Sequence, residues 1–282
     1  MRAPTQTLGG RIIRQIRNTF CNQHGMSIVE LMAAVIIGIF VVMAAMEAYL
    51  TLQGSNLKQD QITEMQQSGR AAMRVLSERL RMAGFSLPAT VMAFDGTNSD
   101  PDTVTIRHME AVGCEVNTSA NMAGPGDPLV CDGWDVACFP VGKPAYVFDA
   151  VAGVGEFFDV TGTQSSPSGI THNGLTRSYP TGSRVSFIRE WTFYVDNGDT
   201  LHPRFMLREF DDAPEIYAEN IEDFQVRYIM TDGDTLDTPT IPTLVSRVLI
   251  NLVSRTDRRD DQVEQDYLRR AYAFQVSVRN NE

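Results

Sequence analysis

The chain has 282 residues, 43% of them hydrophobic and 21% charged, a composition that supports a folded core and excludes both a disordered chain and a multi-span membrane protein. Its 24 basic and 35 acidic residues leave a net charge of -11, so no nucleic-acid-binding surface is expected, because phosphate recognition needs a positive field. The charge is unevenly spread. Residues 1–25 hold Arg2, Arg11, Arg14 and Arg17 and no acid, which puts the rest of the chain at -15.

Residues 31–46 read LMAAVIIGIFVVMAAM, the one long apolar run without a charge, bounded by Glu30 and Glu47. The usual minimum for a spanning helix is about 17 residues, and Met26, Ile28 and Val29 before the run and Ala48, Tyr49, Leu50 and Leu52 after it extend it past that. A single membrane span is therefore expected. The arginines ahead of it place the N-terminus in the cytoplasm and the long C-terminal part across the membrane. A secretory signal peptide would end in a small-residue cleavage site, and AMEAYLTLQG has no A-x-A pattern. A plain signal anchor accounts for the span but gives no reason for Glu30. A carboxylate in a span costs up to about 2.5–3.5 kcal/mol at mid-bilayer and points to a partner.

The local order HGMSIVELMAAVIIG supplies that reason: Gly25 ends a basic leader, Met26 follows, a glutamate stands four residues later and the apolar run begins. This order resembles the signal of type IV prepilins and type II secretion pseudopilins. In that family the leader is cut after the glycine on the cytoplasmic face, the new N-terminal amine is methylated and the fifth mature residue is glutamate. Cutting between Gly25 and Met26 makes Glu30 the fifth; Met26 stands where phenylalanine is usual. The resemblance implies that the apolar run stays attached as the mature N-terminus. The Glu30 carboxylate would then neutralise the Met26 amine of a neighbouring subunit in an apolar medium, where an unpaired charge is heavily penalised.

Beyond Gly54, Ile62, Met65, Gly69, Ala72, Leu76 and Leu80 recur in steps of three and four, opposite Lys58, Asp60, Glu64, Arg70, Arg74, Glu78 and Arg81. This is an amphipathic helix that ends at Gly84, with Pro88 soon after. If continuous from Met26 to Met82, it is a rod of about 85 Å. Ser68-Gly69-Arg70 and the Leu80 to Gly84 stretch LRMAG resemble more closely the PilW type of minor pilin, as do YAENIEDFQVRY at 217–228 and RVLINLVSRTDR with RRAYAFQVSVRN near the C-terminal end.

After Pro88 the apolar period changes to two. Strands are expected over 103–109, 145–151, 183–195, 204–210, 221–230, 244–255 and 271–279, with Asn197-Gly198 as a two-residue hairpin turn. Residues 89–182 read as loop-rich, and TDRRDDQVEQD at 256–266 reads as a charged loop. Cys131 and Cys138 flank a turn in CDGWDVAC; either could pair with Cys114, and the Cys131–Cys138 bridge is the one expected. No C-x-x-C pair exists for zinc. Asp232, Asp234 and Asp237 are candidate calcium ligands, though a solvated turn explains them as well. No nucleophile elbow, metalloprotease or P-loop motif is present, and His108, His172 and His202 have no spaced catalytic partner.

The expected fold is α+β and pilin-like. Residues 1–25 are a leader to be removed, 26–84 a long helix with a transmembrane half and an amphipathic half, and 85–282 a β-rich head of antiparallel sheet with loop-rich insertions. The resemblance implies a non-catalytic minor pilin in the inner membrane and then the pilus, without a cofactor. Its implied partners are prepilin peptidase, the inner-membrane assembly platform, other minor and major pilins, and a tip adhesin. Two alternatives remain: a type II pseudopilin of the J kind, and a signal-anchored binding or sensor module.

Overall fold

The computed structural model describes residues 27–87, 91–109, 115–132, 136–165, 168–239, 244–260 and 266–278. The chain divides into two units, residues 1–59 and 60–282. The helix α1 (Ile28–Met82) contributes to both. It runs unbroken because residues 28–82 contain no proline, and its two internal non-packing glycines, Gly38 and Gly54, meet nothing within 4 Å. It stops where Gly84 takes φ 76°, a left-handed conformation that a side chain disfavours, and the Gly84 amide leaves the helix to donate to the Arg107 carbonyl at 2.9 Å.

Within the second unit, α1 buries Met65, Gly69, Ala72, Val75, Leu76 and Leu80. The apolar steps expected from the sequence are thus the packed stripe, apart from the half-buried Ile62 and with Val75 added. The stripe lies in one core with two antiparallel sheets. One sheet is β11 (Ile221–Met230), β12 (Thr235–Leu236), β13 (Val245–Asp260) and β14 (Asp266–Ser277), in the order β12-β11-β13-β14. Phe224, Val226, Val248, Ile250 and Leu252 alternate inward from it, as the period of two requires.

The other sheet is built on β8 (Arg184–Asp196), a stretch of 13 residues rich in β-branched and aromatic side chains. Its second half lies between β2 (Thr103–Met109) and β9 (Arg204–Glu209), with β1 (Phe94–Thr97) and β10 (Glu215–Glu219) outside them. The first half of β8 enters a separate circuit. Going round it, β8 pairs with β3 (Glu115–Thr118), then β4 (Leu129–Asp132), β7 (Ser168–Asn173), β6 (Val154–Ser165) and β5 (Pro144–Asp149), which pairs back to β8. This is a closed six-stranded antiparallel barrel. Leu129, Phe139, Val147, Val160, Ile170 and Phe187 are among the side chains that fill it, as expected at so few strands.

Three expectations need correction. Much of the segment read as loop-rich forms this barrel: β3, β4 and β7 have four to six residues and β6 is rich in Gly, Ser and Thr, so none of them was expected, whereas β5 and β8 were. The β8–β9 hairpin forms, but its loop spans 197–203 rather than two residues. Asp196 Oδ1 accepts from the Gly198 amide and Asp199 Oδ1 from Leu201, both at 2.9 Å, so side-chain-closed turns replace the tight one. The charged stretch after 255 continues β13 to Asp260, with Arg259 opposite Tyr267 and Asp260 opposite Asp266.

Candidate functional site

Ser27 caps α1: its Oγ accepts from the Val29 amide at 3.4 Å and its carbonyl from the Leu31 amide at 3.1 Å. Glu30 lies in the first helical turn, exposed, where the unpaired amides of the helix end favour a negative charge. Gly25 and Met26 lie outside the described residues. From Ile28 onward the large apolar side chains project on all sides; even Ile36 is 52% exposed and Phe40 is 64% exposed. A helix that is apolar all round has no wet face to offer, so it belongs in lipid or inside a bundle. By length and composition it can cross a membrane.

The cysteines do not pair as expected. Cys131 is a free thiol facing the barrel interior from β4, 5% exposed, donating to the Leu129 carbonyl at 3.5 Å. Burial, with Asp132 adding, pushes its pKa up to about 12. Cys138, in a single 3-10 turn over Val136–Cys138, is disulfide-bonded. The Cys131–Cys138 bridge is therefore absent. In the sequence LVCD, alternation already sets Cys131 on the inward side with Leu129.

Nor are the three aspartates gathered. Asp232 Oδ1 accepts from the Asp234 amide at 3.0 Å within the β11–β12 turn, and Asp237 is paired with Arg227 at 3.0 Å. Among the described residues no group of three or more His, Cys, Asp or Glu side chains is placed to hold a metal ion. His172 Nε2 lies 2.9 Å from the Asp127 carbonyl, and His202 sits between Asp199 at 3.0 Å and Asp257 at 3.4 Å. His108 stacks on Trp191 with ring centroids 4.4 Å apart.

Two anchors went unread in the sequence. Arg79 lays its guanidinium on the Trp191 ring at 3.9 Å, so the end of α1 is fastened to β8 by a cation–π contact. Asp102, 4% exposed, accepts from Ser99 at 2.8 Å and Val226 at 2.7 Å while its own amide donates to the Phe224 carbonyl at 2.8 Å. It thereby seals the edge of β11. The contacts that make them anchors have no local signal, because Trp191, Phe224 and Val226 each lie more than a hundred positions from the residue they meet.

A cleft of about 720 Å³ opens where β8 passes from the barrel to the open sheet. Val91, Phe157, Ile188 and Phe210 are part of its apolar lining, Arg107 pairs with Glu190 at 2.5 Å, and Lys143 pairs with Asp212 at the rim. Its cations are thus already matched by carboxylates. No family model, curated protein or solved structure matches the chain.

Proposed function

We propose that this protein is a minor pilin of a type IV pilus, of the PilW type, made as a prepilin and cut between Gly25 and Met26. The observation that carries the reading is the coincidence of Gly25, Met26 and Glu30 with an apolar helix that begins within three residues of the proposed cut. Cleavage ahead of the helix leaves the helix on the product. The protein is then held in the inner membrane by one span, its β-rich part outside the cytoplasm, until a filament offers its apolar surface other helices in place of lipid.

The role of Glu30 follows from electrostatics. A carboxylate and an amine each cost several kcal/mol when taken singly into an apolar medium, and they offset one another when paired. A subunit entering the stack is therefore held in register by the pairing of its Glu30 with the Met26 amine of a neighbour. The protein's contribution is positional, to assembly or initiation, and no catalytic step is assigned to it.

Intact-mass measurement of the protein from cells that carry prepilin peptidase tests this. The expected product lacks residues 1–25 and carries one added methyl group. A chain with residues 1–25 still attached, or one cut beyond residue 46, would sink the reading. Gly25→Ala is expected to block cutting; Glu30→Val is expected to permit cutting and to abolish incorporation. A deletion strain that makes normal pili but fails to secrete would move the protein to the secretion pseudopilus.

A further inference from the structure

The sequence holds two Asn-Gly pairs, Asn173-Gly174 and Asn197-Gly198. Such a pair is open to spontaneous chemistry, because glycine has no side chain to shield its amide nitrogen from the neighbouring carboxamide. The glycine nitrogen, once it has lost its proton, attacks the asparagine Cγ. The Cγ–Nδ2 bond breaks, ammonia leaves, and a five-membered succinimide ring remains. Water then opens the ring. Opening at Cγ yields aspartate, and opening at the main-chain carbonyl yields isoaspartate. In total one carboxamide and one water become one carboxylic acid and one ammonia, and nothing is oxidised or reduced.

Ring closure needs the peptide plane between the two residues to rotate out of the extended conformation, so the fold decides which pair reacts. Asn173 is the last residue of β7 and stands opposite Asp159 of β6. Gly174 follows at φ 100° against the β6 backbone, where a Cβ would meet the Phe158 Cα at 3.8 Å. Turning that plane means pulling the end of β7 away from β6. Asn197 lies just beyond β8, in the 197–203 loop, and both it and Gly198 are exposed. Around Gly198 a Cβ would meet only Asp196 within 4 Å. One bond restrains this plane: Asp196 Oδ1 accepts from the Gly198 amide at 2.9 Å, fixing the group that must rotate. The carboxylate also opposes loss of the proton it holds, since one negative charge disfavours another beside it.

We propose that Asn197 is a site of spontaneous deamidation in the folded protein, and that the Asp196 carboxylate sets its rate by holding the Gly198 amide. The reaction adds a carboxylate between Asp196 and Asp199. It does so on a loop that Arg255 of β13 fastens through the Thr200 and Leu201 carbonyls, at 2.6 and 2.9 Å. Those two bonds lie beyond the altered link, so the loop keeps its anchor while its charge changes. None of this chemistry depends on the membrane span or on cutting at Gly25.

The test is peptide mapping by mass spectrometry of the full chain held in neutral detergent at pH 8 over a time course, with the same chain denatured in urea as the reference. In the denatured chain both asparagines are expected to convert at similar rates. In the folded protein Asn197 is expected to convert at least tenfold faster than Asn173. Asp196→Ala is expected to speed Asn197 by about three- to tenfold, the change in a local equilibrium that releasing one hydrogen bond brings. Asn173 should stay as slow as before, which also reports that the variant has kept its barrel. Asp196→Ser, whose hydroxyl closes the same turn more weakly and without a charge, is expected to fall between the two. Asn173 converting as fast as Asn197 in the folded protein, or Asp196→Ala converting Asn197 no faster than the native chain does, would overturn the proposal.

Discussion

Glycine at two positions of the same helix answers to opposite forces. A Cβ on Gly69 would stand 2.4 Å from the Tyr272 ring, whereas one on Gly54 meets nothing within 4 Å. Replacing glycine by alanine inside a helix gains about 0.5–1 kcal/mol in chain entropy. Forcing a side chain into a packed contact costs about 1–3 kcal/mol. Gly54→Ala should therefore be neutral or stabilising and Gly69→Ala destabilising, the latter lowering the melting temperature of the full chain by about 2–4 °C per kcal/mol lost. Equal effects at the two sites would show that β14 does not lie against α1 at Gly69. Cys131 gives a second prediction. Its thiol is buried and its pKa raised to about 12, so at pH 8 almost none is thiolate. The peptide carrying Cys131 should resist iodoacetamide in the native protein and be alkylated once the chain is denatured without reductant. Labelling at the same rate in both states would contradict the closed barrel.

Individual elements are held by groups distant in sequence. The edge of β11 is closed by Asp102, which supplies to Val226 the acceptor a neighbouring strand would supply and ties down Ser99 as well. Asp102→Ala leaves the buried Val226 amide without its acceptor, at about 1–3 kcal/mol for such a group. The variant should melt lower by several degrees, and Asp102→Asn, which keeps one acceptor oxygen, should recover part of the loss. If alanine and asparagine behave alike, the carboxylate is not the seal. The turn from β10 into β11 is a single residue, Asn220, at φ 59°, a conformation asparagine tolerates better than a β-branched residue. That one residue carries the chain from the open sheet to the sheet ending in β14.

Considered whole, the two larger of the three hydrophobic clusters in the β-rich part share one strand. Val185 and Phe187 of β8 help fill the barrel, and Trp191 and Phe193 belong to the core beneath α1. Much of β8 is hydrogen-bonded on both sides: residues 184–186 by β3 and β5, and 191–193 by β2 and β9. Opening it requires opening the barrel or the sheet as well, so its amides should exchange with solvent near the global unfolding rate. Hydrogen exchange should rank residues 191–193 among the slowest and the two-residue β12 among the fastest. Rapid exchange through β8 would mean that barrel and sheet do not share it as a common support.

Local pattern was enough for part of this molecule. The apolar run after Glu30, the stripe from Met65 to Leu80, the stop at Gly84 and strands such as Thr103–Met109 and Ile221–Met230 each follow from residues within a few positions of one another, where side-chain period and backbone preference act alone. The barrel was not legible in the same way. A circuit closes only when β5 reaches back to β8 some forty residues later, and β3, β4 and β7 have too few residues to show a period. The state of Cys131, the Asp102 seal and the Arg79–Trp191 contact were decided for the same reason. Burial and hydrogen bonding between distant segments depend on which surfaces the fold brings together, and no local preference in the chain encodes that.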